Sequence, residues 1–222
     1  MNRLLSLLST ILLFSLSAAA IPQTLNEMLE MLDEAVSVNE VFISQRFSRI
    51  DSLKQELHKD PTAIKLYATI GNDLKGIAVD SALCFYDLGI ANAIMSNDNA
   101  TRQYLEIQRA STLPIMGITK ESIELFDAIE KEGLYPQNRA TFYENGNRLF
   151  FYISSTYPEK SLKSQYAMRG LQYTDSLLTI LPKQSPEYKL YNAQAHYIRG
   201  ERAIAIALLD EIIDGVAVDN NL

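Results

Sequence analysis

The sequence predicts an all-α protein in which antiparallel helical hairpins stack side by side as a short solenoid. Three observations predict it. From Gln23 onward, apolar residues recur at intervals of three and four, not two, which is the period of helices that bury one face. The polar or Gly/Pro breaks between these runs are short, so successive helices must return alongside one another. A sparse pattern is also written twice: Tyr67, Ile70, Gly71 and Leu74 with Ala82, Tyr86 and Gly89, then Tyr188, Tyr191, Asn192 and Ala195 with Ala203, Ala207 and Asp210, 121 positions later. A weaker third copy runs through Ala110, Leu113, Ser122, Phe126 and Ile129. Recurrence on this scale suits stacked hairpins, because one hairpin cannot bury its apolar face alone.

Composition agrees with that class. A chain of 222 residues, 47% hydrophobic and 21% charged, can bury a sizeable core, and nine Gly with seven Pro are too few for a loop-rich β-protein of this length. The formal net charge is −7, with no basic stripe, which argues against nucleic-acid binding by this segment. Cys84 is the sole cysteine, so no internal disulfide can form, and its setting in ALCFYDL reads as a small buried residue.

Taken in order, residues 1–20 read as a secretory signal peptide. Arg3 supplies the positive start, Leu4 to Ser17 the apolar run, and Ala18, Ala19 and Ala20 the small residues before cleavage at Ile21. The apolar run is short for a bilayer span of about 20 residues. Residues 21–61 form an N-terminal helical lead-in, whose clearest helix spans about 40–58 with Ile43, Phe47, Ile50, Leu53 and Leu57 on one face. Pro61 ends it, since it disfavours helix at Asp60 and cannot donate a backbone hydrogen bond. Residues 62–222 hold the repeats, with helices expected at about 62–75, 79–95, 100–113, 119–131, 138–155, 160–180, 186–198 and 201–213.

An aromatic, a small residue four positions on, and an alanine early in the next helix resemble the tetratricopeptide (TPR) signature. On that reading Gly71, Ala82, Tyr86, Ala110, Phe126 and Ala203 are the repeat-packing positions. The small residues let helices approach, and the rings fill the gaps between them.

The residues supply no catalytic or metal-binding constellation. His58 and His196 are the only histidines and have no His-x-x-x-His spacing, no second cysteine exists, and no nucleotide-binding or nucleophile-elbow motif occurs. No enzyme, cofactor or metal is therefore expected. Asn97-Asp98-Asn99 lacks the glycine and terminal glutamate of a calcium loop and reads as a helix cap. Asp51-Ser52, Asp80-Ser81 and Asp175-Ser176, each followed by an apolar residue, resemble O-glycosylation acceptors but fall within predicted helices. Twelve tyrosines stand against no tryptophan. Tyr67, Tyr143, Tyr152, Tyr166, Tyr188 and Tyr191 are the candidate binding-face residues, although such rings are equally what a helical stack uses as core.

Four segments together carry a family resemblance: LDEAVSVNEVFISQRFSRIDSLKQEL (32–57), LYATIGNDL…VDSALCFYDLGIANA (66–93), MGITKESIELFDAI (116–129) and YTDSLLTILP (173–182). Their order resembles the N-terminal half of a Bacteroidetes family of membrane-spanning regulators that includes the starch-utilisation regulator type. The resemblance implies a signal sequence, a periplasmic TPR-like region, one transmembrane helix and a LuxR-type helix-turn-helix. This chain stops at DGVAVDNNL, before the last two, so a truncated member, a fragment of a longer gene or a stand-alone derivative is expected.

The expected function is thus a periplasmic sensory or ligand-binding region, taking a peptide, protein or glycan. The alternative is a stand-alone exported scaffold for protein–protein interaction. A glycan-binding lipoprotein is disfavoured by the missing lipid-acceptor cysteine. Residues 201–213, apolar on more than one side, are expected to self-associate or fray.

Overall fold

The computed structural model describes residues 25–219; the predicted signal peptide and its cleavage site lie outside them. Among the described residues nine α-helices follow one another: α1 (Leu25–Lys59), α2 (Ile64–Leu74), α3 (Val79–Met95), α4 (Asn99–Thr112), α5 (Thr119–Glu132), α6 (Arg139–Thr156), α7 (Lys160–Leu178), α8 (Pro186–Ile198) and α9 (Arg202–Asp219). Short 3-10 turns at Leu113–Met116 and Pro136–Asn138 complete the described residues, which contain no strand and no helix long and apolar enough to cross a membrane. The protein is all-α, and its eight helices after α1 form four hairpins. The chain divides into two compact units, one ending at Arg49 and the other beginning at Ile50.

Helix limits follow local chemistry. Ser185 caps α8, its hydroxyl accepting from Tyr188 N at 3.1 Å, with Pro186 in the first position where no amide partner is needed. Asp98 caps α4, accepting from Thr101 N at 3.0 Å and from the Thr101 hydroxyl at 2.6 Å, as the capping reading of Asn97-Asp98-Asn99 expects. Asp51, Asp80 and Asp175 all lie in helices. The lead-in differs from expectation in extent: α1 is a single helix of 35 residues that starts fifteen positions before the predicted start at 40.

Within the second unit, α2 pairs with α3, α4 with α5, α6 with α7 and α8 with α9, while α2, α4 and α6 pack in series. Two cores result. In the first, Ile50 from α1 joins Ile70, Leu74, Ala82, Tyr86 and Leu105, with Leu53 and Leu57 packed against them. In the second, Phe126, Phe142, Phe150 and Tyr173 form an aromatic cluster: Phe126 stacks on Phe142 at 4.3 Å, and Phe150 lies parallel to Tyr173 at 5.5 Å. The Arg169 guanidinium sits 4.0 Å from the Phe150 ring centre and pairs with Asp127.

Of the six predicted packing residues, Gly71, Ala82, Tyr86, Ala110 and Phe126 are buried in these two cores. Ala203 is corrected: it is exposed, and Ala205, at 3% exposure, takes the inward position with Ile212. The cause is the turn. A strict 121-residue offset would end α8 at Ala195, but α8 runs to Ile198 before Gly200, at φ +87°, turns the chain. The inward face of α9 therefore falls two residues later than the repeat alignment places it. Cys84 is also exposed, contrary to the buried reading.

Candidate functional site

The first helix of each hairpin contributes polar side chains that meet those of the next hairpin. On α2, Asn72 donates to the Tyr104 hydroxyl on α4 at 3.0 Å and accepts from the Tyr86 hydroxyl at 2.9 Å. Lys75 Nζ donates to Ser111 Oγ at 2.9 Å, and Ser111 donates to Asn145 Oδ1 on α6 at 2.8 Å. Asn147 then donates to Thr174 Oγ1 at 2.7 Å and to Gln194 Oε1 on α8 at 3.0 Å. Buried polar groups are costly unless satisfied, so this ladder fixes how each hairpin sits on its neighbour.

The ladder is charged as well as polar. Burial, and after it nearby Arg148, lowers the Lys75 pKa to about 8, with Glu144 opposing. Arg148 Nη2 bonds Glu144 Oε1 at 2.7 Å, one turn apart on α6. Tyr191 of α8 reaches the same pair, and its phenol is pushed up to about 12, chiefly by burial and then by the Glu144 carboxylate. Lysine, arginine, glutamate and tyrosine thus converge from the C-cap of α2, from α6 and from α8.

Beside the ladder, nearer the start of these helices, an open cavity of about 540 Å³ is lined by Lys65, Thr69, Asn72, Asp98, Tyr104 and Gln137, among others. Its base is held by Gln103, which donates to Gly133 O at 2.8 Å and accepts from Tyr135 N at 3.0 Å, while Asn138 donates to Ala100 O at 2.8 Å. The cavity is thus a polar groove that shares Asn72 with the buried ladder, its rim offering hydrogen-bonding groups and both signs of charge in Lys65 and Asp98.

The six predicted tyrosines do not form one surface. Tyr191 reaches the Arg148–Glu144 pair beside the ladder. Tyr67 is buried, with its hydroxyl donating to Pro61 O at 3.1 Å, and Tyr143 packs beside Phe142 at 6.0 Å. Tyr166 stacks on Phe150 at 6.3 Å, while Tyr188 is half-buried near the start of α8. Tyr152 is exposed and lines a separate opening with Pro114, Ile115 and Tyr157. Lys75, Asn72, Tyr104, Ser111 and Asn145 are absent from the sequence-based set. Their signal is Asn and Ser inside helices, where propensity disfavours them and a buried bond can justify them.

Among the described residues, no group of three or more His, Cys, Asp or Glu is placed to hold a metal ion. His58 is exposed at the end of α1, and His196 Nδ1 lies 2.5 Å from Glu201 Oε2 across the α8–α9 turn. A family model described as the SusR N-terminal TPR domain matches residues 36–222. No curated protein and no solved structure matches the chain.

Proposed function

We infer, since the chain belongs to the SusR N-terminal TPR domain family and is therefore the N-terminal region of a regulator, that it acts as an exported, periplasmic sensor whose polar groove receives an extended segment of a protein partner. One observation carries this reading: the satisfied ladder from Lys75 through Ser111 to Asn145 leaves an adjoining open cavity edged by Lys65, Asp98 and Tyr104. TPR-type folds are protein-interaction folds. A polypeptide is favoured over a glycan because, among the described residues, Tyr104 is the only aromatic one lining the cavity, and its hydroxyl is already bonded to Asn72. Occupancy would bias the contact between successive hairpins, which is where such a groove can pass a signal along a stack.

The test is a transcriptional reporter driven by the intact regulator gene, with Thr69→Arg and Thr101→Arg blocking the cavity from half-buried positions on its rim. Loss of induction with unchanged thermal melting of the purified segment supports the groove. Normal induction in both variants removes it. Direct binding of maltooligosaccharides that is lost in both variants would make the ligand a glycan. Export is tested by mass spectrometry of the mature protein, with an N-terminus expected at or beside Ile21; molecules retaining Met1 would overturn it.

A further inference from the structure

The first unit poses a separate question. Along α1, Leu25, Leu29, Leu32, Val36 and Ile43 recur at the four-three spacing of a heptad seam, interrupted at Asn39 and Arg46. Leu25 and Leu32 are 71% and 57% exposed, and Phe42 and Phe47 flank the seam nearly half exposed. A row this long is expected to be covered. Further along the same helix the row continues as Ile50, Leu53 and Leu57, and there it is covered: Ile50 is fully buried, and the two leucines pack on the first core. One stripe is therefore buried at its C-terminal end and bare at its N-terminal end.

We propose that residues 25–49 pair two copies of this chain as an antiparallel helical dimer. The seam is self-complementary in period, with apolar residues at five successive first positions of the heptad: Leu29, Val36, Ile43, Ile50 and Leu57. Charge selects the direction. Glu30, Asp33, Glu34 and Glu40 are acidic, whereas Arg46 and Arg49 carry the only positive charges between Met28 and Arg49. A parallel pair would set Arg46 against its own copy within the seam. An antiparallel pair brings Arg46 beside the Leu29–Glu30 turn of the partner and places Ile43 opposite Leu32. Arg46 already lies 5.7 Å from the Phe42 ring centre, so its charge stands at the seam edge.

Sedimentation of the purified chain between roughly 1 and 100 μM, which resolves a Kd of micromolar order, should show a monomer–dimer equilibrium. Leu32→Glu with Ile43→Glu should weaken it by about a hundredfold or more, with the thermal transition of the helical repeats unchanged. Direction is read by oxidative cross-linking in a Cys84→Ser background. Leu32→Cys alone should not link to itself, because antiparallel pairing separates the two copies of residue 32 by about 16 Å along the axis. Mixed with Ile43→Cys chains of different tag length, it should give the heterodimer. Self-linking of Leu32→Cys would show a parallel pair and overturn the proposed direction. A monomer at every concentration would overturn the pairing, whether the stripe then proved protected from hydrogen exchange by its own chain or bound to neutral vesicles. A dimer that survives the α1 variant but is lost with Leu209→Glu and Ile213→Glu would assign association to α9 instead and also overturn it.

Discussion

The hairpins α2/α3 and α6/α7 close in one way, and α4/α5 and α8/α9 close in another. In the first pair each hairpin interlocks glycines with aromatic residues. A Cβ on Gly71 would stand 2.4 Å from Tyr86, and one on Gly146 would stand 2.7 Å from Tyr173. Gly170 likewise faces the Phe151 ring, at 3.1 Å, whereas Gly89 is close-packed against the Tyr67 Cβ and Leu105 rather than against a ring. In the second pair small residues meet small residues. Ser122 donates to Ala110 O at 2.6 Å with both side chains fully buried, and Ala195 and Ala205 are buried in α8/α9. A ring laid on bare backbone fills a hairpin with one large group. Small-on-small contact instead brings the backbones together and leaves the ring-sized space to neighbouring hairpins. The first device should therefore fail when the ring is removed or a methyl is added, and the second when a large side chain is inserted.

The largest break is removal of a ring. Tyr173→Ala empties the notch over Gly146 and also strips contacts from Phe126, Phe142 and Phe150, whose ring centres lie 5.5–5.7 Å away. A loss of about 4 kcal/mol is expected from urea denaturation. A value below about 1 kcal/mol would mean that the aromatic cluster does not hold the two hairpins together.

Adding a methyl is next. Gly71→Ala and Gly146→Ala each gain about 1 kcal/mol of helix propensity, yet should lose about 2 kcal/mol net by overpacking. The Tyr86 ring cannot step aside, since it is fully buried and its hydroxyl is tied to Asn72. Gly71→Ala combined with Tyr86→Leu should recover part of the loss, a non-additivity that marks direct contact. Stabilisation by Gly71→Ala alone would erase the distinction between the two kinds of hairpin.

The small-on-small hairpins are tested by insertion. Ala205→Leu should cost about 2 kcal/mol, while Ala203→Leu at an exposed position should stay within about 0.5 kcal/mol. Equal melting temperatures for the two would contradict the inward face assigned to α9.

That last pair also marks the limit of the sequence. Seven of the eight repeat helices lie within two residues of their predicted bounds at both ends, because helical period and Pro, Gly or Asp punctuation are local signals. The eighth, α9, starts within one residue but runs on to Asp219, beyond the predicted end at 213. Gly71, Ala82 and Tyr86 were legible because close approach restricts residue type. Ala203 was misplaced because a three-residue extension of α8 is invisible to a repeat alignment. The groove was least legible. Lys75, Ser111 and Asn145 are 34 or more positions apart across successive links, and only the stacking of hairpins brings them together. The tyrosines were misleading as a set, since a ring with a polar tip serves core and surface equally, as Tyr67 and Tyr152 show.

The smallest expected effect tests contact between hairpins rather than within one. Lys75 joins α2 to α4 through Ser111, and its pKa is lowered from 10.5 to about 8 by burial, then by Arg148. Between those two values the unfolded chain binds more protons at this residue than the folded chain does. Stability contributed at Lys75 therefore rises as pH increases through about 8 and levels off near 10.5. Tyr173 and Tyr191, raised to about 12, act in the opposite sense but only above pH 10, where the unfolded phenols begin to ionise. The window from pH 8 to 9.5 thus isolates the lysine. Across it the wild type should gain about 1 kcal/mol relative to Lys75→Met, a figure discounted for the side chain's partial exposure. Parallel urea titrations of the two proteins at pH 7.5, 8.5 and 9.5 read that difference directly. A flat difference would place the ammonium in water, outside the ladder, and would leave Ser111 and Asn145 to join α4 to α6 without it.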